Sequence, residues 1–236
     1  QEVLDALTRV KMPGPVKSRQ SAGIYELNER KVSIYTCETL VLGSGAAGLR
    51  AAVELKRRGI DTVVASSSLF GGTSACSGSD KQTLHTAGTN NRGDDFVQLA
   101  RDIGSGGAMD LDTAYIEGCG SLYAFSSLQY MGLPLPQDRF GTVLRYQTDH
   151  DDVGRATSCG PRTSRLMVKV LCEEAMKLGV DFIKGWTGVR ILKKELKGKE
   201  QAFGIIGISR IDSSNEYGIS VILCDKVVLA TGGPGE

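Results

Sequence analysis

Three glycines stand at Gly43, Gly45 and Gly48 in the stretch GSGAAG, with the spacing G-x-G-x-x-G. That spacing suits the holding of a pyrophosphate. The first glycine permits a tight turn out of a strand, and the second lets backbone approach the phosphates. The third lets a helix pack closely on the sheet, and the helix N-terminus offers free N–H groups to a dianion. The motif has meaning only between a strand and a helix. Thr39–Leu42 before it is a short apolar run, and Gly45–Arg58 after it carries Ala47, Ala51 and Leu55 at helical spacing. Lys56, Arg57 and Arg58 favour the last helical turn and Gly59 ends it. Asp61–Ser66 then reads as a second buried strand, completing a right-handed βαβ unit.

A nicotinamide dinucleotide site normally places Asp or Glu at the end of that second strand, on the ribose hydroxyls. Here the place reads Ala65, Ser66, Ser67, Ser68. The missing carboxylate weakens a nicotinamide reading.

Other reactive residues are sparse. The six cysteines include no C-x-x-C pair and there are only two histidines, so the spacing offers no zinc or iron–sulfur site. They read as reduced thiols of a cytoplasmic protein. Asp149, His150, Asp151, Asp152 and Arg155 form an acid–His–Arg cluster that reads first as a solvated loop, with His150 and Arg155 as minority catalytic candidates. His85 reads as an ordinary loop or surface histidine. The sequence contains no nucleophile elbow, because Gly45 occupies the serine place. With a net charge of +1, nothing electrostatic argues for nucleic acid or a membrane surface as a partner. No apolar run approaches membrane-spanning length.

The remaining elements follow from periodicity. Residues 1–36 read as an N-terminal arm, irregular up to Val32, and 37–236 as one domain. Helices are expected around Phe96–Ile103, from a cap at Asp110 or Asp112 to Gly132, and from Thr163 or Ser164 to Gly179. Strands are expected at VDFI, GVRIL, FGIIGIS, ISVILC and KVVLA, with KKELKGKE and DSSNEYG as hairpin loops. The sequence stops in a glycine loop just after an apolar strand, which reads as truncation before a further domain.

The stretches GSGAAGLRAA, GIDTVVASSSLFGGTSACSG, LQYMGLPL and DKVVLATGGPG resemble the flavoprotein subunit of succinate dehydrogenase and fumarate reductase, with L-aspartate oxidase in the same superfamily. The likeness runs from Thr39 to Gly235. It implies an α/β fold: a Rossmann-like FAD-binding domain of the two-dinucleotide-fold type, with a parallel sheet, helices and a small antiparallel meander. It implies that Gly43, Gly45, Ala46, Ala47 and Gly48 hold the pyrophosphate and that Ser66 and Ser67 lie by the adenosine ribose. Gly71, Gly72, Thr73, Ser74 and Gly78 would run beside the flavin. Backbone at Val189 would meet the adenine edge, and Ala230, Thr231 and Gly232 would close over the cofactor. Respiratory members carry a flavin-linking histidine where this chain has Gly72, so the resemblance implies non-covalent FAD. It further implies hydride transfer between flavin N5 and a carboxylate-activated carbon–carbon bond of a small substrate. The partner would be the remainder of a longer flavoprotein or a second subunit, an iron–sulfur electron-transfer protein among the candidates. Two alternatives stand beside it: a non-catalytic FAD-binding module and an NAD(P)-dependent dehydrogenase domain.

Overall fold

The computed structural model describes residues 14–77, 82–89, 94–148, 151–211 and 217–233. The chain divides into two compact units. One comprises Met12–Cys76 with Leu171–Glu236, and the other is built on Ser77–Val170.

The first unit is a sheet. Strands β1 (Gly23–Leu27), β2 (Arg30–Leu42) and β3 (Thr62–Ser66) precede β7 (Asp181–Lys184), β8 (Trp186–Leu196), β9 (Lys199–Ser209) and β10 (Ile219–Leu229). Their spatial order is β7-β3-β2-β10-β9-β8, with β1 also paired to β2. β7, β3, β2 and β10 run parallel; β9 and β8 continue antiparallel from β10. Helix α1 (Ala46–Arg57) crosses from β2 to β3 and buries Leu49, Ala52 and Val53. On this frame lies a core of Leu40, Val63, Ala65, Ile183, Trp186, Ile205 and Ile222. β3 is buried along its whole length, as a strand covered on both faces must be.

Trp186 locks the meander to this core. Its ring is fully buried and its Nε1 donates to Ser220 Oγ at 2.6 Å. Gly207 leaves room for it, since a Cβ there would collide with the Trp186 ring. Gly207→Ala is therefore expected to cost about 1–3 kcal/mol. Trp186 is the sole tryptophan, so its fluorescence reports urea unfolding directly. An unshifted midpoint would refute this packing.

The arm is not irregular to Val32: β1 and β2 form an antiparallel hairpin from Gly23, and β2 runs on as a single strand past position 36. Ahead of the hairpin, Ser18 bridges parallel to Phe182 beside β7. Arg19 bonds both Asp61 and Asp181, and Lys17 reaches Asp181 at 2.7 Å. Burial pulls the Asp181 carboxyl up, but these two cations outweigh it and hold it below the usual carboxylate range. In the meander, KKELKGKE is not a loop. β8 and β9 run through it, and only Lys197 and Gly198 turn, both at positive φ. ISVILC and KVVLA likewise merge into β10, where exposed Asp225 and Lys226 cross to solvent without breaking the ladder.

The second unit contains the short helix-bounded sheet β4-β6-β5 (Leu84–His85, Asp151–Thr157, Tyr146–Thr148). Helices α3 (Phe96–Gly104) and α4 (Leu111–Tyr130) accompany it; the four-residue α2 (Thr73–Cys76) belongs to the first unit. Asp95 and Asp110 cap α3 and α4 by accepting from Gln98 N and Thr113 N, so Asp110 and not Asp112 is the cap. Gly118 lets α4 approach α3 closely, and Phe96 meets Tyr115 edge-on at 5.7 Å. The unit boundary falls within α5 (Thr163–Lys177).

Candidate functional site

Three parallel strands end side by side at the glycine motif. Gly43 N donates to Ala65 O at 2.8 Å, and Ala230 N donates to Leu42 O at 2.9 Å. The carboxyl ends of β2, β3 and β10 are thereby tied together where open α/β sheets bind ligands. Gly43 turns the chain there at φ +111°. A Cβ on it would collide with the Ala230 carbonyl, and one on Gly48 would collide with the Gly43 carbonyl. These two glycines are required by the fold itself.

Gly45 differs. It is the N-cap of α1 with extended backbone, φ −74° and ψ −174°, and a Cβ there would meet only Ser74, with Oγ 3.3 Å away. No side chain caps the helix, and its first turn contains no acidic residue. The first intrahelical bond runs from Leu49 N to Gly45 O. The N–H groups of Ala46, Ala47 and Gly48 therefore face the mouth of the turn as donors. Uncapped donors, a positive helix end and a missing side chain form a donor set that fits a pyrophosphate.

Around this cradle the serines have distinct duties. Ser44 hydroxyl donates to Ser66 Oγ at 2.9 Å, and Ser66 hydroxyl donates to Ser68 O at 2.9 Å. Both side chains are buried, so they fasten the glycine turn to the end of β3. In the sequence, only its place inside the motif marks Ser44. Ser67 is exposed, and Arg210 anchors its carbonyl at 3.0 Å. Val189 is 64 % exposed and sits at a register shift in β8, where Gly188 pairs Gly207 and Arg190 pairs Ile206. The shift leaves Val189 without a partner in β9 and its backbone available. Gly188 beside it lies against Leu42, the last residue of β2.

Gly71, Gly72 and Thr73 are exposed, Thr73 and Ser74 lie in α2, and a Cβ on Gly72 would enter open space. Ala230 and Thr231 follow β10 directly, and Gly232 has φ +92°. Gly78 and His150 lie outside the described residues.

The acid–Arg cluster in the second unit is not a solvated loop. Asp151–Thr157 forms β6, and Arg155 is 1 % exposed. Its guanidinium meets Asp94 at 2.8 Å, Asp102 at 2.7 Å and Asp151 at 3.2 Å. Arg155 is thus neutralised by its own unit. Burial opposes its charge, but the bonds to Asp94 and Asp102 prevail and raise its pKa. His85 is not a surface loop residue either. It belongs to β4, half-buried, with Nε2 3.8 Å from Asp151 Oδ2. Burial, and then the neighbouring arginines, push its pKa below the usual imidazole value against the pull of Asp151. His85, Asp102, Asp151 and Arg155 line one cleft of about 1190 Å³ in this unit. No motif in the sequence marks Arg145. It stacks 4.3 Å from the Phe125 ring and donates to Thr86 Oγ1 and Arg155 O. Among the described residues, no group of three or more His, Cys, Asp or Glu is placed to hold a metal ion. Among the same residues, no helix is long and apolar enough to cross a membrane.

Comparison with known proteins bears on this arrangement. Over 160 residues the chain is 31 % identical to the 8-methylmenaquinol:fumarate reductase flavoprotein subunit of Wolinella succinogenes, covering 64 % of this chain and 25 % of that protein. The structure is similar to Mycobacterium smegmatis Sdh1, with TM-score 0.73 and 21 % identity over 85 % of this chain and 34 % of the other. It is also similar to Escherichia coli quinol fumarate reductase FrdA, with TM-score 0.71 and 18 % identity over 86 % of this chain and 33 % of the other. The structural likenesses establish the fold. The chain spans a quarter of the length of the curated relative and about a third of each structural one. Residues 38–236 match the family described as FAD binding domain. This chain belongs to the FAD binding domain family, and its cofactor is FAD.

Proposed function

We propose that this chain is the FAD-binding part of a flavin-dependent oxidoreductase of the fumarate reductase/succinate dehydrogenase type. When bound, FAD supplies hydride transfer between its N5 and a carbon–carbon bond activated by a neighbouring carboxylate. The chain's own residues bind and orient. Ala46, Ala47 and Gly48 N–H groups hold the pyrophosphate, Gly45 gives it clearance, and Gly43 sets the turn. Ser66 fixes that turn while Ser67 presents its hydroxyl to the ribose. Val189 backbone takes the adenine edge. Gly71, Gly72, Thr73 and Ser74 run beside the isoalloxazine, and Ala230, Thr231 and Gly232 close over it. The observation that carries this reading is the uncapped α1 N-terminus beside Gly45, where a Cβ would meet only the Ser74 side chain while those of Gly43 and Gly48 would collide with backbone.

The substrate is a small carboxylate. Gripping it takes cations free of internal partners, and Arg155 is already committed to three aspartates. The grip therefore comes from a larger flavoprotein or a second subunit, with an iron–sulfur protein as electron partner. A cytoplasmic setting accords with six free cysteines. The 236-residue chain by itself is expected to show no fumarate-dependent oxidation of reduced viologen dye, while the longer flavoprotein shows it. Robust turnover by the chain alone would relocate the active site into it. FAD-loaded longer protein inert toward fumarate and other alkenoates would favour the non-catalytic module.

FAD is held without a covalent bond, since Gly72 supplies no nucleophile and opens into free space. Denaturation in acid is expected to release all yellow colour to the supernatant. Fluorescence retained by the polypeptide on a denaturing gel would contradict this.

A further inference from the structure

Two thiols face one another in the parallel sheet. Cys37 of β2 and Cys224 of β10 are direct register partners. Both pack in the cluster around Trp186, Leu40 and Ile222. As register partners on adjacent strands, their side chains stand next to each other on one face of the sheet. Neighbouring strands lie about 4.8 Å apart, inside the roughly 4.4–6.8 Å Cα separation that a disulfide spans. Cys224 is 6 % exposed and Cys37 is half-buried, so a small solute reaches the pair from the Cys37 side.

The pair also differs chemically from the other thiols. Cys37 S–H and, after burial works against it, the Leu40 backbone N–H hold the Cys224 thiol below its ordinary pKa. The bond to Cys224, then burial, holds Cys37 above its own. Whichever sulfur ionises, a resolving thiol stands opposite it in register. Cys159 and Cys172 are buried, which pushes each up to about 11. Cys76 and Cys119 are exposed.

We propose that Cys37 and Cys224 form a reversible intrachain disulfide when the protein meets a peroxide. One of the two sulfurs, as thiolate, attacks one peroxide oxygen, breaking the O–O bond to give a sulfenic acid and hydroxide. The other sulfur then attacks the oxidised one, the S–S bond forms, and the sulfenic oxygen leaves as water. Two thiols and one hydrogen peroxide become one disulfide and two waters. A dithiol donor reverses the step. The bridge would join the two strands that lead into Gly43 and Ala230 at the cradle.

The test uses purified, reduced flavoprotein exposed to hydrogen peroxide, quenched in acid, alkylated and digested with trypsin without reduction. Residues 32–50 should appear joined to residues 211–226, two hydrogens lighter than the separate peptides, and should separate with dithiothreitol. The linked species should vanish in Cys37→Ser and persist in Cys159→Ser. In a Cys76→Ser/Cys119→Ser protein, denatured thiol titration should fall by two. Full alkylation of both Cys37 and Cys224 after peroxide would overturn the proposal, as would sulfinic acid on either one without any linked peptide.

Discussion

Gly45→Val is expected to leave the purified protein folded and colourless. Its backbone, φ −74° and ψ −174°, is extended and open to any L-residue. The nearest atom to a new Cβ is Ser74 Oγ at 3.3 Å, a side-chain hydroxyl that can rotate away. The methyls of valine then project over the donors of Ala46, Ala47 and Gly48, where the pyrophosphate must sit. FAD affinity should fall by about 100-fold or more, roughly 3 kcal/mol. Bound ligand itself stabilises, so the thermal midpoint must be compared with wild-type apoprotein. Against that reference the variant should melt within about 2 °C, the effect of well under 1 kcal/mol. Gly48→Ala is the contrast. Its Cβ would strike the Gly43 carbonyl, so it should lose stability and FAD together. The ratio of flavin to protein absorbance reads both. A yellow Gly45→Val protein with wild-type flavin content would refute the placement of the pyrophosphate.

The same three glycines mark how far the sequence could be read. Their spacing announced the turn, but only the neighbours of each Cβ divide them into two that the fold needs and one that leaves space. α1 and β3 were legible because their burial is periodic or complete. The N-terminal half of β2 was not: KVSIYTCET is half-buried and mixed in polarity, so nothing in its pattern separates strand from arm. In the meander, the hydropathy of KKELKGKE pointed to a loop because those strand ends are solvent-exposed on both faces. β6 failed for a different reason. Hydropathy scores Asp151 and Arg155 separately as solvent-seeking, whereas in the structure they cancel each other and are buried together. No one-residue scale contains that pairing. Its other members, Asp94 and Asp102, lie far away in the sequence, on and just before α3.

Arg155→Leu is expected to be among the most destabilising single changes in the second unit. The side chains of Asp94 and Asp151 are 1 % and 3 % exposed. Removing their shared cation leaves two buried carboxylates facing each other without compensation, at a cost of about 3–5 kcal/mol. Leucine refills much of the volume, so the loss reports charge more than cavity. The pH dependence gives the signature. In the variant, desolvation and mutual repulsion raise the folded-state pKa of the carboxylates above the unfolded value of about 4. The folded state then binds protons more tightly, so stability must fall as pH rises through that interval and recover as pH is lowered toward it. Wild type, with Arg155 charged throughout, should lack that recovery. Asp94→Asn added to Arg155→Leu removes one orphaned charge and should restore part of the loss. Urea midpoints between about pH 5 and pH 8 settle the comparison. A substrate-gripping Arg155 would behave in the opposite way: the variant would keep its midpoint at every pH, and only the KM for the carboxylate would rise.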